Sequence, residues 1–402
     1  MNGSESQRDS ESSLLCLYYP QQLLPGLAAV MSCRRQQGKD TTAPLTMLVW
    51  SHPATEHKVR ERRLQAFKVL LERFPWVNIN FPPQEEIKSH LSHNSKVLRK
   101  AVYLRNKFGP NAFLEIYYAH DVSADFTAQS AMQAFPEATR ICFGDALGVV
   151  YSNEYFTAKT YEIGLAHACL RPGGTVRNLI YRLKRVWTLP PRQYRLDAEH
   201  AALILPCDPG GNFLRNKKVI PVEQVDLSFV LSRLNSSAVR LPSNRCIALE
   251  QNEGNSYLML LGSYSESKLT TEDKERELYV ETAIKHVPRG MKILLKAHPA
   301  SSNEKAQKIK RALSQCHDVT VVDFQELPIE LLSNINNYAG VISFSYSSVA
   351  LKYLYNATVV HALDAIQIEK YFPKKSKAWM HESNDLYLHE IAKLRNVNAC
   401  LA

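Results

Sequence analysis

A chain of 402 residues with 45% hydrophobic content can bury more than one core, and its length favours two or three domains. Its formal charge of +10 suits anionic ligands: a nucleotide sugar, a polyanionic glycan, an acidic membrane face or nucleic acid. Its eight cysteines lie no closer than Cys16 and Cys33, which excludes a zinc ribbon and a compact disulfide framework and leaves reduced thiols as the expectation.

Residues 1–12 are polar and are expected to be disordered. Glu5, Asp9 and Glu11 outnumber Arg8 there, so the stretch lacks the positive flank of a secretory signal. No segment has the roughly 18 uninterrupted apolar residues of a spanning helix. The expectation is a cytoplasmic protein, peripheral on the cytoplasmic face of the membrane if it touches one.

Leu14–Tyr19 reads as a buried strand, and Gln21–Arg35 follows Pro20 in helical period. A strand at Thr46–Trp50, a helix at His57–Arg73, a strand at Val77–Phe81, a long helix at Gln84–Lys107 and a strand at Ala112–Tyr118 continue the alternation. This is βαβ spacing, which predicts a parallel sheet with helices on its faces. His90 and His93 lie one turn apart on the long helix without further ligands, so they are read as surface residues. The strand Ala138–Phe143 runs into Gly144-Asp145-Ala146-Leu147-Gly148.

Between Arg171 and Arg195 there are seven Arg or Lys residues and no Asp or Glu. A helix at Val176–Trp187 would carry Arg177, Arg182, Lys184 and Arg185 around Leu179, Ile180, Leu183, Val186 and Trp187. A basic amphipathic helix of this kind sits on anionic lipid, faces a polyanionic acceptor, or packs its apolar side on its own domain. Arg215, Lys217 and Lys218 extend the patch. Ala201–Pro206 is read as the last strand of the N-terminal domain, and Asn235–Gly254 as a linker holding one short strand.

The alternation then restarts. Tyr257–Leu261 is a strand ending in Gly262-Ser263-Tyr264, small residues that let a ligand approach the backbone. Helix Thr271–Val287, strand Met291–Lys296, helix Asn303–Cys316, strand Val319–Asp323, helix Gln325–Asn334, strand Ala339–Phe344, helix Ser347–Tyr355 and strand Thr358–His361 complete a second Rossmann-like unit. Glu382–Arg395 is a final helix. The domains expected are 13–240 and 241–380, with 381–402 returning toward the first.

Two strand ends in the second unit carry chemistry. Lys296, His298 and Pro299 fall where a strand gives way to a loop, so an imidazole on a stiffened loop can donate to a phosphate. About fifty residues on, Ser347 and Ser348 fall at the start of the next helix, where hydroxyls and backbone N–H groups favour an anion. Each motif alone also reads as ordinary structure, a loop histidine or a helix cap. Together, on strand-to-helix turns of one βα series, they point to one phosphate-bearing ligand at the mouth of a parallel sheet.

A His-Pro motif followed by a Ser-Ser motif resembles the bacterial sialyltransferases and polysialyltransferases of the GT-B fold, nearest to the polysialyltransferase-like family. Pro20-Gln21-Gln22-Leu23 at the first turn is similar to the Ser-Pro-x-Gln-Leu pattern of those families, without its serine. Gly144-Asp145-Ala146-Leu147-Gly148 is similar to their acidic-acidic-glycine run, with Gly144 in place of the first acid and Ala146 in place of the glycine.

The resemblance implies two Rossmann-like domains facing each other across a cleft and transfer of sialic acid, or a related nonulosonate, from a CMP donor. It implies inversion, a glycan acceptor and a role in capsule or surface polysaccharide. Asp145 would be the general base, with Asp121 or His120 as substitutes, and His298 would assist the leaving phosphate. Pro299, Ser347, Ser348, Gly262, Ser263 and Lys296 would line the CMP site, and Gln22 and Asp121 the sugar or acceptor side. No Asp-x-Asp metal clamp occurs in the sequence, so no metal and no other cofactor is expected. Another GT-B transferase, using CMP-Kdo or a polyol-phosphate donor, and an inactive nucleotide-sugar or glycan-binding protein remain as alternatives. Nucleic-acid binding is not expected, since no base-reading module is present.

Overall fold

The computed structural model describes residues 12–50, 57–82, 93–119, 126–144, 147–150, 198–209, 211, 213–238, 255–298, 301–322, 327–332 and 334–400. The chain divides into two compact units, Met1–Leu234 and Asn235–Ala402.

The first unit is built on a parallel sheet. Its strands are β1 (Ser13–Leu17), β2 (Leu45–Val49), β3 (Val77–Asn80), β4 (Glu115–Tyr118), β5 (Thr139–Cys142), β6 (His200–Leu203) and β7 (Lys218–Pro221). They lie in the order β3-β2-β1-β4-β5-β6-β7, and every pairing is parallel. The helices among the described residues are α1 (Leu23–Gln36), α2 (His57–Leu71), α3 (His93–Phe108), α4 (Phe126–Ala134) and α5 (Gln224–Ala238), whose last turn crosses the unit boundary.

Burial on both faces of a parallel sheet explains the uninterrupted apolar runs. All five residues of β1 are buried. In α1 every residue from Leu23 to Arg34 is buried; most are apolar, and the two polar exceptions are hydrogen-bonded, Ser32 to Asp226 and Arg34 to the Ala43 and Pro44 carbonyls. Each leucine so buried contributes about 1.5–3 kcal/mol.

The second unit repeats the plan on a smaller scale. Strands β8 (Ser256–Leu260), β9 (Lys292–Lys296), β10 (Asp318–Val322), β11 (Gly340–Ser343) and β12 (Val359–His361) lie in the order β10-β9-β8-β11-β12, again all parallel. Its helices are α6 (Glu272–His286), α7 (Asn303–Leu313), α8 (Ser347–Tyr355), α9 (Ala365–Tyr371) and α10 (Lys374–Cys400). Thr271 caps α6 by accepting from the Lys274 amide, and Ser302 caps α7 by accepting from the Lys305 amide.

The chain therefore has the α/β layout of a GT-B protein, two Rossmann-like units in succession. In such sheets ligands bind beyond the carboxyl ends of the strands where the order reverses. The reversal falls between β1 and β4 in the first unit and between β8 and β11 in the second.

Several expectations need correction. Ala201–Pro206 is not the last strand of its sheet, because β7 adds an edge strand beyond β6. Only Ile220 of β7 is buried and its final residue is Pro221, a pattern too short to register as a strand but suited to an edge. The helix expected over Gln325–Asn334 is replaced, among its described residues, by a 3-10 turn at Ile329–Leu331, and a second 3-10 turn follows it at Ile335–Asn337. Pro328 is responsible, since it lacks an amide hydrogen and clashes with a preceding helical turn.

The final helix begins at Lys374 rather than Glu382, and it packs against α8 and α9. Helices α4, α5 and α9 escaped the sequence reading, and the last residues of α5 occupy the start of the expected linker Asn235–Gly254. For α9 a signal was present: Asp364 and Gln367 form a reciprocal capping box, the D-x-x-Q pattern of a helix start. The short strand expected in the linker and the helix expected at Val176–Trp187 lie outside the described residues, as does His90.

Candidate functional site

In the second unit, strands β9, β8 and β11 are neighbours, so the turns that follow them stand side by side at the carboxyl edge of the sheet. Those turns carry Lys296 and His298, Gly262 and Ser263, and Ser347 and Ser348. Parallel pairing thus brings together groups that the sequence spreads over more than eighty residues.

The turn after β8 is held from beneath. The Gly262 amide donates to the Tyr279 hydroxyl at 3.0 Å, and the Tyr264 and Ser265 amides donate to the Glu275 carboxylate at 3.2 and 2.9 Å. Tyr279 also donates to Glu275 at 2.6 Å. Lys305 closes the network with bonds of 2.7 Å to both Glu275 and Glu266 and 3.0 Å to Ser265. Glu275 is fully buried and Lys305 nearly so, hence each charge depends on the other. The Tyr264 hydroxyl donates to the Phe344 carbonyl at 2.8 Å, joining this turn to the one after β11.

His298 is half-buried, and its carbonyl accepts from the Ser301 amide at 2.9 Å. Burial, reinforced by Lys296 and Lys305 and opposed by Glu266 and Glu275, pushes its imidazole down to about 4. At neutral pH the ring is uncharged, a hydrogen-bond donor and acceptor rather than a cation. Lys296, the last residue of β9, is buried. Pro299 lies outside the described residues.

The two serines part company. Ser347 is the half-buried first residue of α8. Ser348 is fully buried, and its Oγ lies 2.8 Å from the Ser345 carbonyl and 3.1 Å from His361 Nδ1. Its amide donates to the Ser345 carbonyl at 3.1 Å. The expectation that both hydroxyls face a ligand is corrected here: Ser348 is engaged inside the unit, because the second residue of α8 falls on the helix face turned toward the core.

In the first unit, Gln22 is buried, and its Oε1 accepts from the amides of Tyr18 at 2.8 Å and Tyr19 at 3.4 Å. The side chain shapes the turn after β1, where direct contact with a sugar had been expected. Arg63 stacks over Tyr19, 4.5 Å from its ring centre, on the same turn.

The turn after β5 accounts for the glycine in place of an acid. Gly144 has φ +73°, and a Cβ added there would meet the Gly148 Cα at 2.9 Å. Gly148 in turn sits at φ +127°, where a Cβ would come within 2.4 Å of the Leu205 carbonyl oxygen. No acidic side chain fits at Gly144 without rebuilding the turn. The turn is anchored by the Leu205 amide, which donates to the Leu147 carbonyl at 2.7 Å, and by the Cys207 amide, which donates to Gly148 at 3.1 Å. Asp145 and Ala146 themselves, His120, Asp121, Arg177, Arg182, Lys184 and Arg185 all lie outside the described residues. Of the residues that would extend the basic patch, Arg215 and Lys218 are exposed, and Lys217 stacks against Phe213.

The alpha-2,8-polysialyltransferase family model matches residues 72–364, a span that includes Asp145, His298 and both serines. The chain belongs to that family, and with it to the enzymes that transfer glycosyl groups from a nucleotide-sugar donor to a glycan acceptor. Gln22 lies before the matched span. No protein of curated function matches the chain.

Among solved structures, a UDP-GlcNAc 2-epimerase from Neisseria meningitidis bound to UDP-GlcNAc is similar at 12% identity and a TM-score of 0.45, over 83% of this chain and 78% of that one. A glycosyltransferase from Rickettsia africae ESF-5 is similar at 9% identity and a TM-score of 0.42, over 96% and 94%. A UDP-forming alpha,alpha-trehalose-phosphate synthase from Burkholderia vietnamiensis gives 10% identity and a TM-score of 0.41, over 96% of each chain. Likenesses this distant assign no residue a role.

Proposed function

We propose that the protein transfers sialic acid, or a related nonulosonate, from a CMP-activated donor to a glycan acceptor with inversion at the anomeric carbon. The observation that carries this reading is the grouping of the turns after β8, β9 and β11 at the reversal point of the second sheet, in a chain of the polysialyltransferase family.

In the proposed reaction the acceptor hydroxyl attacks the anomeric carbon, and the bond from that carbon to the CMP phosphate breaks. Asp145 takes the hydroxyl proton as the new bond forms. CMP leaves with the electron pair, and the charge growing on its phosphate is met by hydrogen-bond donors placed in advance. Neutral His298 donates one ring N–H, while Ser347 and the start of α8 supply further polarity. Lys296 adds a positive charge from the end of β9. Gly262 and Ser263 leave room for the nucleotide to approach the backbone. No metal or other cofactor takes part in this scheme.

The polyanionic character of the acceptor and a peripheral contact with the membrane belong to the same proposal, through Arg177, Arg182, Lys184 and Arg185. An inactive nucleotide-sugar-binding protein is the second reading, favoured by Gly144 in place of an acid.

Calorimetric titration with CMP tests the first. Saturable binding by the wild type, weakened roughly tenfold or more in His298→Ala, is expected, as befits a hydrogen bond to a charged group. Absence of binding by the wild type sinks the assignment. Asp145→Asn separates the two readings: it should abolish turnover with CMP-sialic acid while leaving CMP affinity near that of the wild type, whereas a wild type without turnover favours the binding protein.

A further inference from the structure

Behind Ser348 lies a chain of hydrogen bonds that reaches the last helix. The Ser348 Oγ is 3.1 Å from His361 Nδ1, and His361 Nε2 is 2.7 Å from Asn384 Oδ1. The Tyr387 ring packs edge-on against His361, with centres 5.5 Å apart, and against Tyr346 at 5.7 Å. The three elements involved are thus α8, the end of β12 and α10. A Ser-His-Asn sequence of bonds resembles a nucleophilic triad, but Ser348 has no exposed surface and its hydroxyl is already within bonding distance of the Ser345 carbonyl, so attack on a substrate is ruled out.

We infer that His361, held by Asn384 and Tyr387, is a positioning residue for the Ser345–Ser348 turn, so that the last helix fixes the geometry with which the start of α8 meets a phosphate. The inference rests on the proposal that this turn binds CMP.

The direction of the bonds supports it. An amide oxygen only accepts, so Asn384 places a proton on His361 Nε2. With Nδ1 bare, the single proton of Ser348 faces two acceptors, Nδ1 and the Ser345 carbonyl. With Nδ1 protonated, every bond has one donor: Nε2–H to Asn384, Nδ1–H to Ser348, and Ser348 O–H to Ser345. Charging the ring therefore tightens the turn and adds a positive charge behind it.

Burial lowers the proton affinity of His361, and the Asn384 bond opposes that. Ser348 faces the ring from α8, and Asn384 and Tyr387 face it from α10; none of the three is charged at neutral pH. The tightened form accordingly belongs to acidic pH. At neutral pH the relay works through the bare ring.

The test uses the full chain with His361→Gln, Asn384→Asp and, as a control on the same helix, Leu388→Ala, whose side chain is 45% exposed. Hydrogen exchange of the peptide spanning residues 345–349 is followed without ligand, and CMP affinity is measured from pH 5 to 8 together with the thermal midpoint. His361→Gln should speed exchange in that peptide and weaken CMP binding by about three- to tenfold, the worth of one neutral hydrogen bond, while flattening its pH dependence. Asn384→Asp should move that pH dependence upward by about one unit, because a carboxylate against Nε2 favours the imidazolium. The control should match the wild type.

Unchanged exchange in both variants overturns the inference, whatever CMP does. Faster exchange with unaltered CMP affinity and pH profile also overturns it, since the contact is then merely structural. If the wild type binds no CMP while exchange still responds to both variants, the relay stands and the CMP assignment falls.

Discussion

His298 illustrates how one side chain takes its chemistry from its surroundings. Its proton affinity is pushed down to about 4, chiefly by burial. An unfolded chain holds the same ring near 6.5, so below that value unfolding takes up a proton that the folded protein refuses. The stability tied to this residue is fully present above pH 6.5 and is lost as the pH falls through about 4. Thermal midpoints measured between pH 7 and 4 should therefore decline less steeply for His298→Gln than for the wild type. Parallel curves would show that the ring titrates normally in the folded state. The sequence located His298 at a strand end beside Lys296, but the depressed proton affinity follows chiefly from burial, which no local pattern reports.

Among the elements, α6 and α7 do more than cover the second sheet. Glu275 from α6 and Lys305 from α7 meet under the turn after β8 and hold its amides in place. Lys305→Met should cost about 3–5 kcal/mol of stability, because it leaves the buried Glu275 carboxylate without its counter-ion. Denaturant unfolding of the variant measures this, and a loss under 1 kcal/mol would mean that water or another group replaces the ammonium. In sequence, Glu275 and Lys305 look like two more charges on amphipathic helices, which is why the pair went unseen. The turn after β5 teaches the converse lesson. Gly144 looked like a lost acid, yet the close approach of Gly148 and Leu205 makes glycine a requirement of the backbone there.

For the whole molecule, the net charge of +10 and the basic run from Arg171 to Arg195 suit an anionic donor and acceptor. In the proposed reaction the leaving-group charge is met by hydrogen bonds and Lys296 without a metal, which predicts that transfer from CMP-sialic acid proceeds at an unchanged rate in excess EDTA. Activity abolished by EDTA and restored by Mg²⁺ or Mn²⁺ would overturn the metal-free scheme. None of the described helices is long and apolar enough to cross a membrane.

The sequence by itself determined the two series of parallel strands, because a strand buried on both faces must be continuously apolar and a helix laid on it must be amphipathic. It also placed His298, Ser347 and Ser348 at strand-to-helix turns, since those turns are marked by abrupt changes from apolar to polar residues. Helix α8 was legible to the residue, Ser347–Tyr355. Tertiary structure alone decided the order of the strands, and with it which turns stand together. It alone turned Ser348 inward to His361, joined His361 to Asn384 of the last helix, and set Lys305 against Glu275. Those contacts join residues 13 to 30 positions apart. Hydrophobic periodicity records which face of an element is buried, but the partner met there depends on how the elements pack.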